Sequence, residues 1–312
     1  MYPMRLLSGS SFRNNDLMNL LLWTFAATTT LQGPDPLLLK IGMPGTVTVR
    51  PGTIVQTSTG KEVTVQDVAK AAGGHRFVYL GESHTTLAHH EMQAAVIEEL
   101  AKMGKDVIVG FEMFTRPVQA QLNPWTLGWW TEGEFIERAD WKGQWGFDFS
   151  LYRPIFDVVK KYRLPMVALN VPRDWIRRVG RDGAKALTAE EQSQVPAIEI
   201  DNTNHRAVFN ALMGGHPPTG DRGENIYSAQ VLWDTAMADS ALKYLTSRPT
   251  TSNTVMAIVA GSGHVMFGQG INYRIRKRTG DTGITMVMTE ETKPAEVSRG
   301  LGDFVYNAVK KP

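Results

Sequence analysis

Phe77-Val-Tyr-Leu-Gly-Glu-Ser-His84 and Thr254-Val-Met-Ala-Ile-Val-Ala-Gly-Ser-Gly-His264 are the two stretches that decide the reading of this chain. Each is an apolar run of strand length that stops at a glycine, with a histidine three residues further on. Three more apolar runs end in polar groups: Val107 to Phe111 before Glu112, Met166 to Leu169 before Asn170 and Arg173, and Ile284 to Thr289 before Glu290 and Glu291. In an open, mostly parallel sheet the ligand crevice lies outside the carboxyl ends of the strands. Acids and imidazoles scattered over the chain are therefore expected to meet along one rim.

Working outward, the runs alternate with helical patterns. Residues 87–104 carry Met92, Val96, Leu100 and Met103 at helical spacing and stop at Gly104. Residues 151–163 read as a helix, residues 172–213 as two or three short helices with a turn at Gly183, and residues 224–247 as the longest helix. Residues 53–57 and 62–65 flank a Thr-Gly turn and predict a β-hairpin, followed by a short helix closed by Gly73 and Gly74. Residues 35–50 read as a Pro/Gly-rich lead-in, 271–283 as a basic loop, and 303–309 as a further strand or helix. The expected fold is a layered α/β domain: a mostly parallel central sheet flanked by helices, an N-terminal β-hairpin, and a helical, Trp-rich insertion. That domain spans 35–312, with helical insertions at 115–150 and 172–225. Five tryptophans (Trp125, Trp129, Trp130, Trp141, Trp145) fall in the first insertion, to line an aromatic pocket or to staple a long connection.

Composition narrows the chemistry. The 312 residues contain no cysteine, which excludes disulfides, thiolate metal sites, iron–sulfur clusters and thiol nucleophiles. A formal net charge of +2 gives no electrostatic case for nucleic acid. Residues 1–34 form a leader or signal-like segment: Arg5 and Arg13 precede an apolar run from Leu17 to Ala27, too short to span a bilayer. The localisation this suggests is periplasmic or membrane-associated; without export it is cytoplasmic.

Several side chains are candidates for the site. Glu82 and His84 lie two apart after a strand and so share a side; with Glu112 and His264 they form a set suited to acid–base work or to a divalent metal ion. His89 and His90 begin a helix, where adjacent positions diverge, so each reads as a first-turn surface residue. His75, His205 and His216 have no supporting context. Tyr227, Gln230 and Asp234 make a polar stripe on the otherwise apolar long helix. Arg153 and Arg173 are forked donors for carboxylate or phosphate.

Taken in order, Leu80-Gly-Glu-Ser-His84 with His89-His90, Gly110-Phe-Glu-Met-Phe114, Trp145-Gly-Phe-Asp-Phe-Ser-Leu-Tyr-Arg-Pro154, Asn170-Val-Pro-Arg173, Gln230 to Ala238 and Gly261-Ser-Gly-His264 resemble the ChaN-like haem-binding family of the Tiki superfamily, similar to the erythromycin-esterase fold. The resemblance implies haem as cofactor, a role in iron or haem uptake, a periplasmic or membrane-associated setting and paired haems across a homodimer. It also implies a tyrosine ligand to the haem, for which Tyr227 and Tyr152 are the candidates. The lipoprotein cysteine common in that family is missing. The Tiki branch implies the alternative, a metal-dependent hydrolase using Glu82, His84, Glu112 and His264.

Overall fold

The computed structural model describes residues 33–310. The leader-like segment expected at the N-terminus lies, apart from its last two residues, outside the described residues.

Ten strands follow in chain order: β1 (Thr46–Val49), β2 (Thr53–Gln56), β3 (Lys61–Val63), β4 (Phe77–Glu82), β5 (Asp106–Thr115), β6 (Met166–Asn170), β7 (Thr254–Gly261), β8 (Ile284–Glu291), β9 (Ala295–Ser298) and β10 (Phe304–Val309). Eight of them form one sheet in the order β3-β2-β10-β8-β4-β7-β5-β6. From β10 to β6 all pairs are parallel. The hairpin β2–β3 adds antiparallel to β10, so it extends the main sheet. β1 and β9 make a separate antiparallel ribbon.

Strand alternation builds the two faces. Val78 and Leu80 of β4, with Val255, Ala257 and Val259 of β7, pack on one face with the helices Val65–Ala72, Leu87–Lys102 and Phe149–Tyr162. Phe77 and Tyr79, with Met256, Ile258 and Ala260, pack on the other, under the helices Gly220–Thr246 and Ile271–Thr279. The central strands are buried on both faces, which is why they read as continuous apolar runs. The edge strand β6 is closed off by Gln119, whose amide donates to the Met166 carbonyl (2.9 Å) and accepts from the Ala168 N–H (2.8 Å).

Four expectations need correction. Residues 271–279 form a helix, because Ile271 and Ile275, one turn apart, bury against the core while the basic residues at its end face water. In the helix Leu87–Lys102 the buried face runs through His89, Gln93, Val96 and Leu100, and Met103 is exposed. Residues 46–49 of the lead-in are a strand. Strand β5 does not stop at Glu112: it runs on to Thr115, with a bulge between Phe111 and Thr115 opposite β6, which re-aims Glu112. The two-way reading of residues 303–309 resolves to strand β10.

The tryptophans act mostly as staples. Trp125 and Trp141 are buried among Phe114, Phe135 and Phe156 and donate to the carbonyls of Phe156 (3.1 Å) and Phe147 (2.7 Å). Trp129 is 72% exposed. Of the five tryptophans of the insertion, Trp145 reaches the rim where the histidines gather, with its ring edge-on to His84 at 4.7 Å.

Candidate functional site

β4, β7 and β5 are neighbours, and their carboxyl ends bring the two Gly-x-x-His stretches side by side. The register pairs Glu82 with Gly261. A Cβ on Gly261 would meet His84 Cε1 at 2.8 Å, and one on Gly81 would meet Val265 Cγ2 at 2.5 Å and Ser262 Cα at 3.1 Å. Each glycine is therefore needed because the other stretch presses against it.

Two carboxylate–imidazole couples result. In the first, Glu82 is buried and accepts from His84 Nδ1 at 2.6 Å, from Tyr152 Oη at 3.2 Å and from His90 Nε2 at 3.3 Å. Burial alone raises the pKa of a carboxylate, but the charge and hydrogen bonds of His84 and His90 outweigh it and hold Glu82 well below its ordinary range. Burial works against charge on His84 too, yet Glu82 and then Glu112 lift its pKa above the usual histidine value. With Nδ1 tied to Glu82, His84 keeps Nε2 without a hydrogen bond to any described residue, and its side chain is 17% exposed.

In the second couple both imidazole nitrogens of His264 are used. Nε2 lies 3.3 Å from Glu112 Oε1 and Nδ1 lies 2.5 Å from Asp234 Oδ1, beside the Gln230 amide at 3.0 Å. Glu112 Oε2 accepts from the Gly261 N–H at 2.7 Å. Burial pulls the His264 pKa down, but Glu112 and Asp234 together push it up to about 10. Burial likewise opposes charge on Glu112 and Asp234, and the neighbouring cations hold both below the ordinary range. Asp234 also accepts from His205 Nε2 at 2.8 Å, and His205 Nδ1 meets Tyr227 Oη at 2.9 Å. Three buried side chains, Asp234, His205 and Tyr227, thus stand in file behind His264.

His84, Glu82 and His264 open onto a cavity of about 360 Å³ whose other walls include Phe147, Phe209, Leu212, Met266 and Met288. Gln230 lines it as well, and Glu290, Glu291 and Lys310 carry charge at its wall.

Of the side chains expected at the site, Glu82, His84, Glu112, His264, Gln230 and Asp234 do converge. The two tyrosines do not reach the cavity: both are fully buried, Tyr152 against Glu82 and Tyr227 against His205. Expecting either to offer its hydroxyl to a haem is corrected by that enclosure. Arg153 is corrected as well: it turns outward and forms a two-point pair with Glu132 at 2.6 and 2.8 Å. Arg173 faces a separate small chamber. The acids are already committed to imidazoles and N–H groups, and among the described residues no set of three or more His, Asp or Glu is arranged to hold a metal ion. The donor set does not fit the divalent metal of the hydrolase alternative.

Three histidines were misread as surface or unsupported residues. His89 and His90 are fully buried. His89 Nδ1 accepts from the Ser83 N–H (3.0 Å), so its Nε2 carries the proton and donates to the Thr289 carbonyl (3.0 Å); burial keeps it neutral. A signal existed, since His89 shares a helix face with Gln93, Val96 and Leu100. His205 is buried between Asp234 and Tyr227, partners more than twenty residues away.

The family described as haem-binding uptake, Tiki superfamily, ChaN matches residues 68–275. The chain belongs to that family. The ChaN-family match spans β4 to β7 and so contains both couples. Among solved structures, one titled for cofacial haem binding to ChaN of Campylobacter jejuni is similar in fold, with a TM-score of 0.63 and 18% identity over 82% of this chain and 98% of that one. Looser likenesses are the type III effector HopBA1 (TM-score 0.45, 12% identity, 79% of this chain and 94% of that one) and an erythromycin esterase mutant in its open conformation (TM-score 0.43, 14% identity, 79% and 77%). No curated protein matches the sequence.

Proposed function

We propose that this member of the ChaN family binds haem in the cavity beside Glu82 and His84 and handles it in haem or iron uptake. The observation that carries the reading is His84: its Nδ1 is anchored to a buried carboxylate, its Nε2 has no hydrogen bond to any described residue, and its side chain lines the cavity. A carboxylate on the far nitrogen fixes the ring and strengthens the near one as a ligand. Haem, when bound, supplies an iron that takes such a nitrogen as axial ligand. The cavity is near the lower end of the roughly 300–1,000 Å³ usual for ligand sites, so it covers part of a porphyrin and leaves the rest open. Openness of that kind accords with the pairing of haems across two copies that the family resemblance implies. Lys310 at the cavity wall is a cation for a propionate.

Haem titration of the purified full-length chain, followed through the Soret band, tests this. Binding with an imidazole-type spectrum is expected, lost or shifted in His84→Ala and retained in Tyr227→Phe. An unchanged spectrum in His84→Ala overturns the assignment.

The same open nitrogen favours a second reading, a metal-independent hydrolase in which His84 draws a proton from water while Glu82 orients it. Turnover of ester or peptide substrates by the haem-free protein, abolished in His84→Ala, would support that reading. A haem-free protein inactive on both classes would count against it.

A further inference from the structure

His84 and His264 also wall a second chamber, of about 30 Å³, shared with Gln144, Arg173 and Trp233. Apart from the Glu112 carboxylate and the Asn170 amide oxygen, the polar side chains around it offer mostly donors. The Trp233 indole N–H is buried without a hydrogen-bond partner. The Gln144 amide oxygen is held by the Thr115 N–H (3.1 Å) and hydroxyl (2.8 Å), which leaves its NH2 group free. Arg173, the first residue of the helix Arg173–Asp182, donates to the Trp145 carbonyl at 3.3 Å and has no ion-pair partner among the described residues. The acceptors nearby are spent: Asn170 bonds the Glu112 carbonyl (3.1 Å) and the Val171 N–H (3.0 Å), and both oxygens of the Glu112 carboxylate face Gly261 and His264.

A water molecule needs about 10–15 Å³ of such space, so the chamber holds two oxygen-sized groups. The Arg173 charge is offset only at a distance, by Glu112 and Asp140, and water would meet the donors without supplying a carboxylate in contact with it. A planar guanidinium is matched by a planar anion with two oxygens, and a tetrahedral phosphate is too large for the space. We propose that this chamber is a binding site for one carboxylate group, held by the fork of Arg173 with the indole N–H of Trp233. It is distinct from the larger cavity, although His84 and His264 line both, and it goes beyond the haem reading, which it neither needs nor tests.

Sodium formate is the probe, because it is a carboxylate of the right size. In a two-dimensional 15N spectrum of the haem-free, full-length chain, formate is expected to move the Trp233 indole resonance saturably, while sodium chloride at equal ionic strength leaves it in place. Arg173→Gln is expected to weaken formate binding at least about tenfold, the loss of a charge-assisted fork. Thermal melts with Trp233→Phe, which keeps the wall and removes the donor, provide the second arm: formate stabilises the wild type more than the variant. The proposal is overturned if formate gives no saturable shift in the wild type, if chloride gives the same shift, or if Arg173→Gln binds formate as well as the wild type does.

Discussion

Replacing Asp234 by asparagine keeps the shape of the side chain and removes its charge, and the pH dependence of the damage can be worked from the geometry. Asp234 is fully buried, 2.5 Å from His264 Nδ1, 2.8 Å from His205 Nε2 and 3.5 Å from Arg274 Nη1. The His264 pKa is raised, to about 10 in the folded chain, against about 6.5 when unfolded. A raised pKa contributes stability that is fully present below pH 6.5 and is lost as the pH climbs through 10. At about 1.4 kcal/mol per pH unit the contribution is on the order of 4–5 kcal/mol, of which about 3–4 disappears between pH 6.5 and 9.5. Asparagine leaves Glu112 as the sole carboxylate on His264, so much of the contribution goes. Breaking a buried pair by removing one partner costs about 3–5 kcal/mol. Urea denaturation of both proteins from pH 6.5 to 9.5 is the assay. The variant should be less stable by that amount at pH 6.5, and the two curves should converge toward pH 9.5. His84 is also raised, by Glu82, but it slopes the same way in both proteins and cancels in the difference. Curves that stay parallel across the range would refute the assignment of a doubly held, protonated His264.

Three further outcomes follow from single contacts. Tyr227→Phe removes the hydroxyl that meets His205 at 2.9 Å; denaturation should show a loss of about 1–3 kcal/mol, as for a buried group left unpaired, with the haem spectrum unchanged. Gly261→Ala places a Cβ 2.8 Å from His84 Cε1; haem affinity should fall by about tenfold or more, and combining it with His84→Ala should cost less stability than the two single losses added, since the clash partner is gone. Arg153→Ala breaks an exposed pair with Glu132; stability should change by about 1 kcal/mol or less, and haem titration should match the wild type.

The central strands were legible because burial on both faces demands unbroken apolar runs, as in β4 and β7, where every residue is buried. Spatial order was not legible: nothing in the residues says that β7 slips between β4 and β5. That insertion is what joins Glu82, Glu112 and His264. The helix Ile271–Thr279 was hidden by its charge, since Arg274, Arg276, Lys277 and Arg278 mask the single apolar pair, and Arg274 is itself buried against Thr235 and Asp234. The polar stripe Tyr227, Gln230 and Asp234 was visible, but its partners His205 and His264 come from other elements. A polar residue in a core shows in sequence as a break in an apolar pattern, and its partner shows only in three dimensions.

The repeated Gly-x-x-His device gains its meaning from that strand order. Gly81 is pressed by Val265 and Ser262 from the second stretch, and Gly261 by His84 from the first. The contact is reciprocal, so neither turn can widen without displacing the other, and the two imidazoles are set by one another's backbone. Yet the pair is not symmetric. His264 spends both nitrogens on Glu112 and Asp234, whereas His84 spends one on Glu82 and keeps the other without a hydrogen bond to any described residue. An imidazole bonded at both nitrogens has no lone pair to offer a ligand, while one anchored at a single nitrogen offers the other in a fixed direction. On the proposed haem reading, this physical division between the two couples gives the ligand contact to His84. His264 and the buried file behind it hold Glu112, and the end of β7 that carries Gly261, in place.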